Sequence, residues 1–498
     1  MTPRLPPALA TLAALAVCGA LAAADAPEPP AAERLVVMVS LDTTRADRLG
    51  GPYGNARGLT PNLDAFAAES VAFTDTWATA NLTSMSHASL FTSRYPSELG
   101  KVSGEFHLGG NAQTLPEILQ LYGWKNRAFT SGGHLNRDFG LDRGFDWFAW
   151  TPFQGSFWHT LPALFAALDA HPPEGKELLF VHSYDAHAPY LAVAPFGLAW
   201  ADPAAPRDSA GHHAVSSRLG TELVYDNLLF RAPSMLGFLV RRRAARHWDE
   251  AARADTRREA AAVALKSPND VEVFSPLDAT YVRDAYDGAV AYEDAMFGEL
   301  VAGLKARGLY DRAILVVFAD HGEALGEEGR WGHGESLAQA ELHVPLTIRV
   351  PGMAPRVVTA PTSLLDVLPT LGELLGVVVP AQSRGQSLVP WLRGEEGPAH
   401  AWRFAEGNQR QSMARTATGQ LTFEGVAPGS TFYAEALRTA ALEGPAFRGT
   451  GDAASLEGRA RYREAMLAWQ AGLDTRVNAE SASPEAVKEM RANGYFTP

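Results

Sequence analysis

Four short segments of this 498-residue chain carry side chains able to do chemistry together. The first is Leu41-Asp-Thr-Thr-Arg-Ala-Asp47. The second is Asn81-Leu-Thr-Ser-Met-Ser-His-Ala-Ser-Leu90. The third is His182-Ser-Tyr-Asp-Ala-His-Ala-Pro-Tyr190. The fourth is Ala319-Asp-His-Gly-Glu323, followed by Gly332-His-Gly334. Taken singly, Asp42 reads as a strand-end cap, Asp320-His321 as a turn and Thr83 as a helix cap. Taken together they supply what a metal-assisted displacement requires. Asp42, Asp320 and His321 offer oxygen and nitrogen ligands to a hard or borderline divalent cation. Thr83 offers a hydroxyl that such an ion can hold and activate as a nucleophile. It stands at an expected helix start, where free N–H groups favour an anion. His87 falls one turn further on, on the side of Thr83, and is expected to meet developing charge. His134, His187 and His333 are expected to bind ester oxygens or to protonate a leaving group.

The elements that must position these groups are legible as apolar runs. Arg34 to Asp42, Leu178 to His182, Ala313 to Ala319 and Val344 to Val350 read as buried strands. Asn62 to Ser70, Leu115 to Tyr122, Asp287 to Arg307 and Leu364 to Leu375 read as helices between them. The alternation predicts an α/β fold with a doubly wound, mainly parallel sheet, whose ligands gather at the carboxyl ends of the strands. Residues 34–395 form the expected catalytic domain, with a helical insertion at about 194–269. Residues 396–498 form an expected small C-terminal α+β subdomain, which includes the amphipathic stretch Leu456 to Leu473.

Composition narrows the function. Forty-three basic and 56 acidic residues give a net charge of −13, which argues against nucleic acid as a partner. An anionic substrate must therefore be drawn by a local feature. The single cysteine, Cys18, excludes an internal disulfide and a thiolate zinc site. Residues 1–24, with Arg4, an Ala/Leu-rich run and Ala22-Ala-Ala24, read as a signal peptide, and 25–33 as a linker. The mature chain is then secreted or periplasmic, with no transmembrane helix. Lipidation at Cys18 is disfavoured because Val17 precedes it.

The order of these motifs resembles the sulfatase family of the alkaline phosphatase superfamily. Asp-x-x-Arg-x-Asp, Thr60-Pro-Asn-Leu-Asp64, Ser86-His-Ala-Ser-Leu90, His187-Ala-Pro-Tyr190, Asp320-His-Gly-Glu323, Gly332-His-Gly334 and Val344-Pro-Leu346 follow in sequence. The resemblance implies one divalent metal ion and transfer of a sulfuryl or phosphoryl group. The departures shape the expectation further. Thr83 stands where the family carries the cysteine or serine that becomes formylglycine, Met85 replaces a proline and His87 an arginine. Thr43 replaces a second aspartate, His321 stands where an asparagine is common, and Gly132 replaces a lysine. Trading a carboxylate for an imidazole moves the expected ion from calcium toward manganese or zinc, with magnesium also possible.

The expected activity is hydrolysis of a sulfate ester, a phosphate mono- or diester or a phosphonate ester through Thr83. The substrate would be a small anionic ester, a sulfated or phosphorylated glycan, or a lipid head group. Three rival readings remain at this level. One is a phosphoglycerol- or phosphoethanolamine-type transferase. Another is a two-zinc phosphodiesterase using Asp208-Ser-Ala-Gly-His212. The third is a glycan binder without turnover.

Overall fold

The computed structural model describes residues 34–100, 106–110, 112–151, 156–188, 190, 196, 276–407, 411–426, 428, 430 and 432–473. The expected signal peptide with Cys18, the linker, most of the insertion and Asp208 to His212 lie outside the described residues.

The main sheet is built from β1 (Leu35–Leu41), β2 (Val71–Trp77), β3 (Lys125–Ser131), β4 (Trp147–Thr151), β5 (Glu177–Ser183) and β6 (Ala313–Phe318). A short hairpin, β7 (Ala324–Leu325) with β8 (Trp331–Gly332), stands apart, and β9 (His343–Arg349), β10 (Arg356–Val358) and β11 (Thr362–Ser363) rejoin the sheet. The strand order is β10-β2-β9-β6-β1-β5-β3-β4, with β11 also on β2. All neighbours are parallel except β9, which runs against both β6 and β2. The fold is thus the expected α/β class. β1 and β5 are uniformly apolar because both of their faces are covered; each is buried at all seven positions.

β1 lies where strand order runs outward in both directions, between β5 and β6. That switch opens a crevice at the carboxyl ends. Since β9 reverses direction twice over, β2 points the same way as β1. Its end therefore delivers α2 (Thr83–Thr92) to the same crevice. The other helices near it are α1 (Pro61–Ala68), α3 (Leu115–Leu121), α4 (Phe157–Ala170), α5 (Pro276–Ala306) and α6 (Val367–Leu375). Among the described residues, no helix is long and apolar enough to cross a membrane.

A second, antiparallel sheet follows: β12 (Arg403–Gly407), β13 (Gln411–Arg415), β14 (Gly419–Glu424) and β15 (Phe447–Gly451). α7 (Tyr433–Thr439) and α8 (Leu456–Gly472) pack on it through Tyr433, Leu437, Tyr462 and Met466. It docks at the carboxyl end of β2, where Ala80 bridges to Glu406. Arg403 pairs with Asp75 at 2.7 Å, and Trp77 lies between the ring of His343 and the guanidinium of Arg415. Glu406 is fully buried there and accepts from the Ser97 amide (2.8 Å) and hydroxyl (2.7 Å).

Burial, aided by the charge of Glu98, pushes the Glu406 carboxyl up to about 8. The folded state therefore holds this proton more tightly than the unfolded chain does. The resulting stability is complete in acid and is lost as pH rises through about 8. Glu406→Gln removes this dependence. Thermal melts from pH 5 to 8 should show the native chain losing stability relative to the variant as pH rises. Parallel profiles would refute the assignment.

Candidate active site

Asp42 ends β1, Asp320 and His321 follow β6, and Thr83 opens α2, so three distant segments meet at one crevice. One ligand atom from each of Asp42, Asp320 and His321 lies within 4.8 Å of the others, and all three side chains are buried. Thr83 Oγ1 stands 3.3 Å from Asp42 Oδ2 and 3.3 Å from His321 Nε2. The other His321 nitrogen, Nδ1, faces the Gly322 carbonyl at 3.0 Å. A carbonyl only accepts, so Nδ1 carries the hydrogen and Nε2 presents a lone pair.

At the site, the buried Asp42 Oδ1 and Asp320 Oδ2 are among the oxygens that make no hydrogen bond among the described residues. Such groups are costly without a partner. Burial and the neighbouring charge of Asp320 push the Asp42 carboxyl well above its ordinary value. Burial acts on Asp320 too, but His321, His87 and His182 hold it below its ordinary value. Two orphaned carboxylate oxygens facing an imidazole lone pair fit a divalent cation in donor type and in charge.

His182 is a site residue that the sequence left without a role. Its Nε2 donates to Asp42 Oδ2 at 3.1 Å and fixes the carboxylate's orientation. In the parallel register Ser40 on β1 lies opposite His182 on β5. A polar residue inside each of two apolar strands was the available signal. Ser40 in turn bonds His87 Nε2 at 2.8 Å. His87 Nδ1 donates to the Thr83 carbonyl at 2.8 Å. Burial lowers the His87 ring to about 4, so it is neutral. Both its nitrogens are engaged inside the protein, beneath the first turn of α2. The expected contact between His87 and developing charge is therefore not what the ring makes here.

The remaining histidines gather on the other side. The ring of His333 lies 4.5 Å from that of His321 and 4.8 Å from that of His187. Burial works against a charge on His333, but Glu323, bonded to Nδ1 at 3.0 Å, prevails and raises it to about 9. His187 differs. Its Nδ1 donates to the Ala188 carbonyl at 2.6 Å, and its Nε2 accepts from the Tyr184 hydroxyl at 2.8 Å. Burial, then the nearby His333, lowers it well below its ordinary value. His134 stacks on Phe139 and is lowered by burial to about 3, with His333 and His321 adding to the effect.

The departures noted in the sequence have structural counterparts. Gly132 has φ +85°, and a Cβ there would meet the Tyr184 ring at 2.7 Å. The ring thus fills the space that a side chain at 132 would need. Arg45 pairs with Asp47 at 2.6 Å and also donates to the Glu323 carbonyl, tying the first loop to the fourth segment.

The sulfatase family model matches residues 34–377, well over half of the chain. The chain belongs to the sulfatase family. It is 32% identical to a choline-sulfatase of Rhizobium meliloti (strain 1021) over 225 residues, which is 43% of this chain and 43% of that protein. The chain thus spans less than half the length of that relative. It is 30% identical to a steryl-sulfatase of Mus musculus over 458 residues, covering 79% of this chain and 70% of that one. Among solved structures, the phosphonate monoester hydrolase of Silicibacter pomeroyi superposes with a TM-score of 0.60 at 20% identity. That alignment covers 91% of this chain and 98% of the other, and it shows a shared fold.

Titration of the protein with manganese, zinc, calcium or magnesium should raise its melting temperature. A ligand at a hundredfold excess over its Kd stabilises by about 2.7 kcal/mol. Asp320→Asn should abolish the shift; a full shift in that variant would place the ion elsewhere.

Proposed function

We propose that this sulfatase-family protein is a metal-dependent ester hydrolase. It cleaves a sulfate, phosphate or phosphonate ester through Thr83 as the nucleophile. The observation that carries the reading is the position of Thr83 Oγ1, at 3.3 Å from both Asp42 Oδ2 and His321 Nε2 and at the first position of a helix. A threonine placed only for capping has no need of two buried metal-competent groups at its hydroxyl.

Asp42, Asp320 and His321 would hold one divalent cation. When bound, that ion supplies Lewis-acid charge beside the nucleophile and a substrate oxygen. The protein's own groups do the rest. Thr83 Oγ1 attacks phosphorus or sulfur in line with the leaving oxygen, and its proton moves toward Asp42 Oδ2. His182 holds that carboxylate in place. The opening N–H groups of α2, which the N-cap residue Leu82 leaves without a side-chain cap, would face charge gathering on the equatorial oxygens. His87 braces the turn that carries Thr83 and acts as a positioning residue.

Of the three histidines expected to bind or to protonate, the hydrogen bonds favour His333 as the proton donor. Glu323 keeps it protonated near neutral pH, so Nε2 has a proton to give to the leaving oxygen. His187 is neutral, with Nδ1 donating to the Ala188 carbonyl and Nε2 accepting from the Tyr184 hydroxyl, so it has no free proton to give. Water then releases the group from Thr83. Family membership supports an ester hydrolase, and the choline-sulfatase relative supports a small sulfate ester among the substrates. The missing formylglycine precursor supports phosphate diesters and phosphonates beside it. A sulfated or phosphorylated glycan or a lipid head group would satisfy the same chemistry.

The test is a panel of aryl sulfate, phosphate monoester, phosphate diester and phosphonate ester, each with the four ions. Thr83→Ala should lower kcat by about a thousandfold or more on the best substrate. Thr83→Ser should keep measurable turnover. Full activity in Thr83→Ala would end the nucleophile assignment.

A further inference from the structure

Three described residues other than glycine have positive φ: Thr43 (58°), Ser93 (53°) and Glu328 (54°). Thr43 is the β-branched one, and it directly follows Asp42. The left-handed region is strongly disfavoured for such a side chain, because its branched Cβ crowds the backbone. A residue persists there only where its surroundings over-determine it. The surroundings of Thr43 do so: its own hydroxyl donates to the Asp42 carbonyl at 2.7 Å, and a clamp on the flanking backbone comes from one helix.

The Tyr286 hydroxyl on α5 donates to the Thr43 carbonyl at 2.7 Å and accepts from the Arg45 amide at 3.0 Å. It spans the strained residue and fixes the backbone on both sides of it. Seven residues along the same helix face, Glu293 accepts from the Thr44 hydroxyl at 2.5 Å. The Tyr286 ring is fully buried, packed edge-on against Tyr190 at 5.3 Å and among Ala186, Val290 and Leu325. Its hydroxyl therefore has little freedom to follow a relaxing loop. The conformation so enforced has a chemical consequence. The Thr43 amide points at Asp320 Oδ1, at 3.3 Å, alongside the His321 amide at 2.9 Å. Two N–H groups on Oδ1 leave Oδ2, without a hydrogen bond among the described residues, 3.5 Å from His321 Nε2 and 3.5 Å from His87 Nδ1.

We propose that Tyr286 is a positioning residue for the metal site: its hydroxyl holds Thr43 in the left-handed conformation that aims a backbone N–H at Asp320 and keeps the Asp42 and Asp320 carboxylates converged. This rests on the metal reading of Asp42, Asp320 and His321. Arg45 does not duplicate the device, because its side chain grips Asp47, the Glu323 carbonyl and Glu327, all beyond the strained peptide.

The experiment is a double-mutant cycle between Tyr286→Phe and Thr43→Gly, read by calorimetric titration of the full chain with manganese and zinc. Tyr286→Phe removes the hydroxyl and keeps the ring. It should weaken metal binding by about tenfold, as the released strain turns the Thr43 amide away from Asp320. Glycine adopts positive φ without strain, so Thr43→Gly alone should bind nearly as the native chain does. In the glycine background the same Tyr286→Phe change should cost less than about threefold. Equal losses in both backgrounds, or native affinity in Tyr286→Phe, would overturn the proposal while leaving the metal site intact. A native chain that binds none of the four ions would overturn the metal reading and the proposal with it. Should Tyr286→Phe alone fail to fold, recovery of a cooperative melt in the double variant supports the proposal, and an unfolded double variant overturns it.

Discussion

The molecule is organised around the repulsion between two buried carboxylates. Asp42 and Asp320 end adjacent parallel strands, and register alone brings their oxygens within 4.8 Å. At an effective dielectric of ~20 two such charges repel by roughly 3–4 kcal/mol, before any cost of desolvation. A fold keeps such a pair only if something offsets it. His182 offsets part at Asp42, and two backbone amides do so at Asp320. The remainder is a directed demand for a cation. Much of the surrounding architecture can be read as keeping that demand from relaxing: the strained Thr43, the clamp from α5 and the Arg45 tie between the two loops.

The histidines around this pair divide by the hydrogen bonds of their second nitrogen. A backbone carbonyl on Nδ1 fixes His321, His187 and His87 in one tautomer, and burial lowers His87 and His187. A carboxylate on Nδ1 does the opposite at His333, which is raised despite its burial. Under the proposed function, six imidazoles of the same composition would thus become ligand, brace, acceptor and acid through neighbours that cost the protein one glutamate and a few carbonyls.

Much of this was legible in the sequence, for a definite reason. β1, β5, β6 and β9 are apolar because they are central, so their runs stood out within about a residue of their true ends. The groups at their tips then fell at the crevice by the rule for parallel sheets. β2 was not read as a strand, because Thr74 and Asp75 interrupt it where the ladder with β9 shifts register. β3 was hidden by Arg127, whose charge is buried against Glu177. Partners that close the site from far away were not legible at all. Ser40 and His182, Glu323 and His333, and Tyr286 and Thr43 are pairings that tertiary packing creates, and no local spacing announces them. His87 shows the same limit from the other side. Its spacing from Thr83 was read correctly, but the ring turned inward to the carbonyl of that residue and not outward.

The charge count carries one step further. Among the described groups of the site, His87, His134, His182 and His187 are held neutral by burial, and the charge on His333 is matched by Glu323. Arg45, the guanidinium tied into the first loop, is committed to Asp47 and Glu327. Among the described residues, the site therefore brings almost no net positive charge of its own to an anionic ester, beyond the partial charge at the start of α2. Under the proposed function, in a chain of net charge −13, the field that draws a sulfate or phosphate ester would then come chiefly from a cation held by the two carboxylates and His321. Metal occupancy and substrate binding would then be coupled by electrostatics. Whatever loosens the carboxylate pair would weaken both together, so under the proposed function the stiffness of the turn after β1 would set affinity for the ester as directly as a residue that touches it.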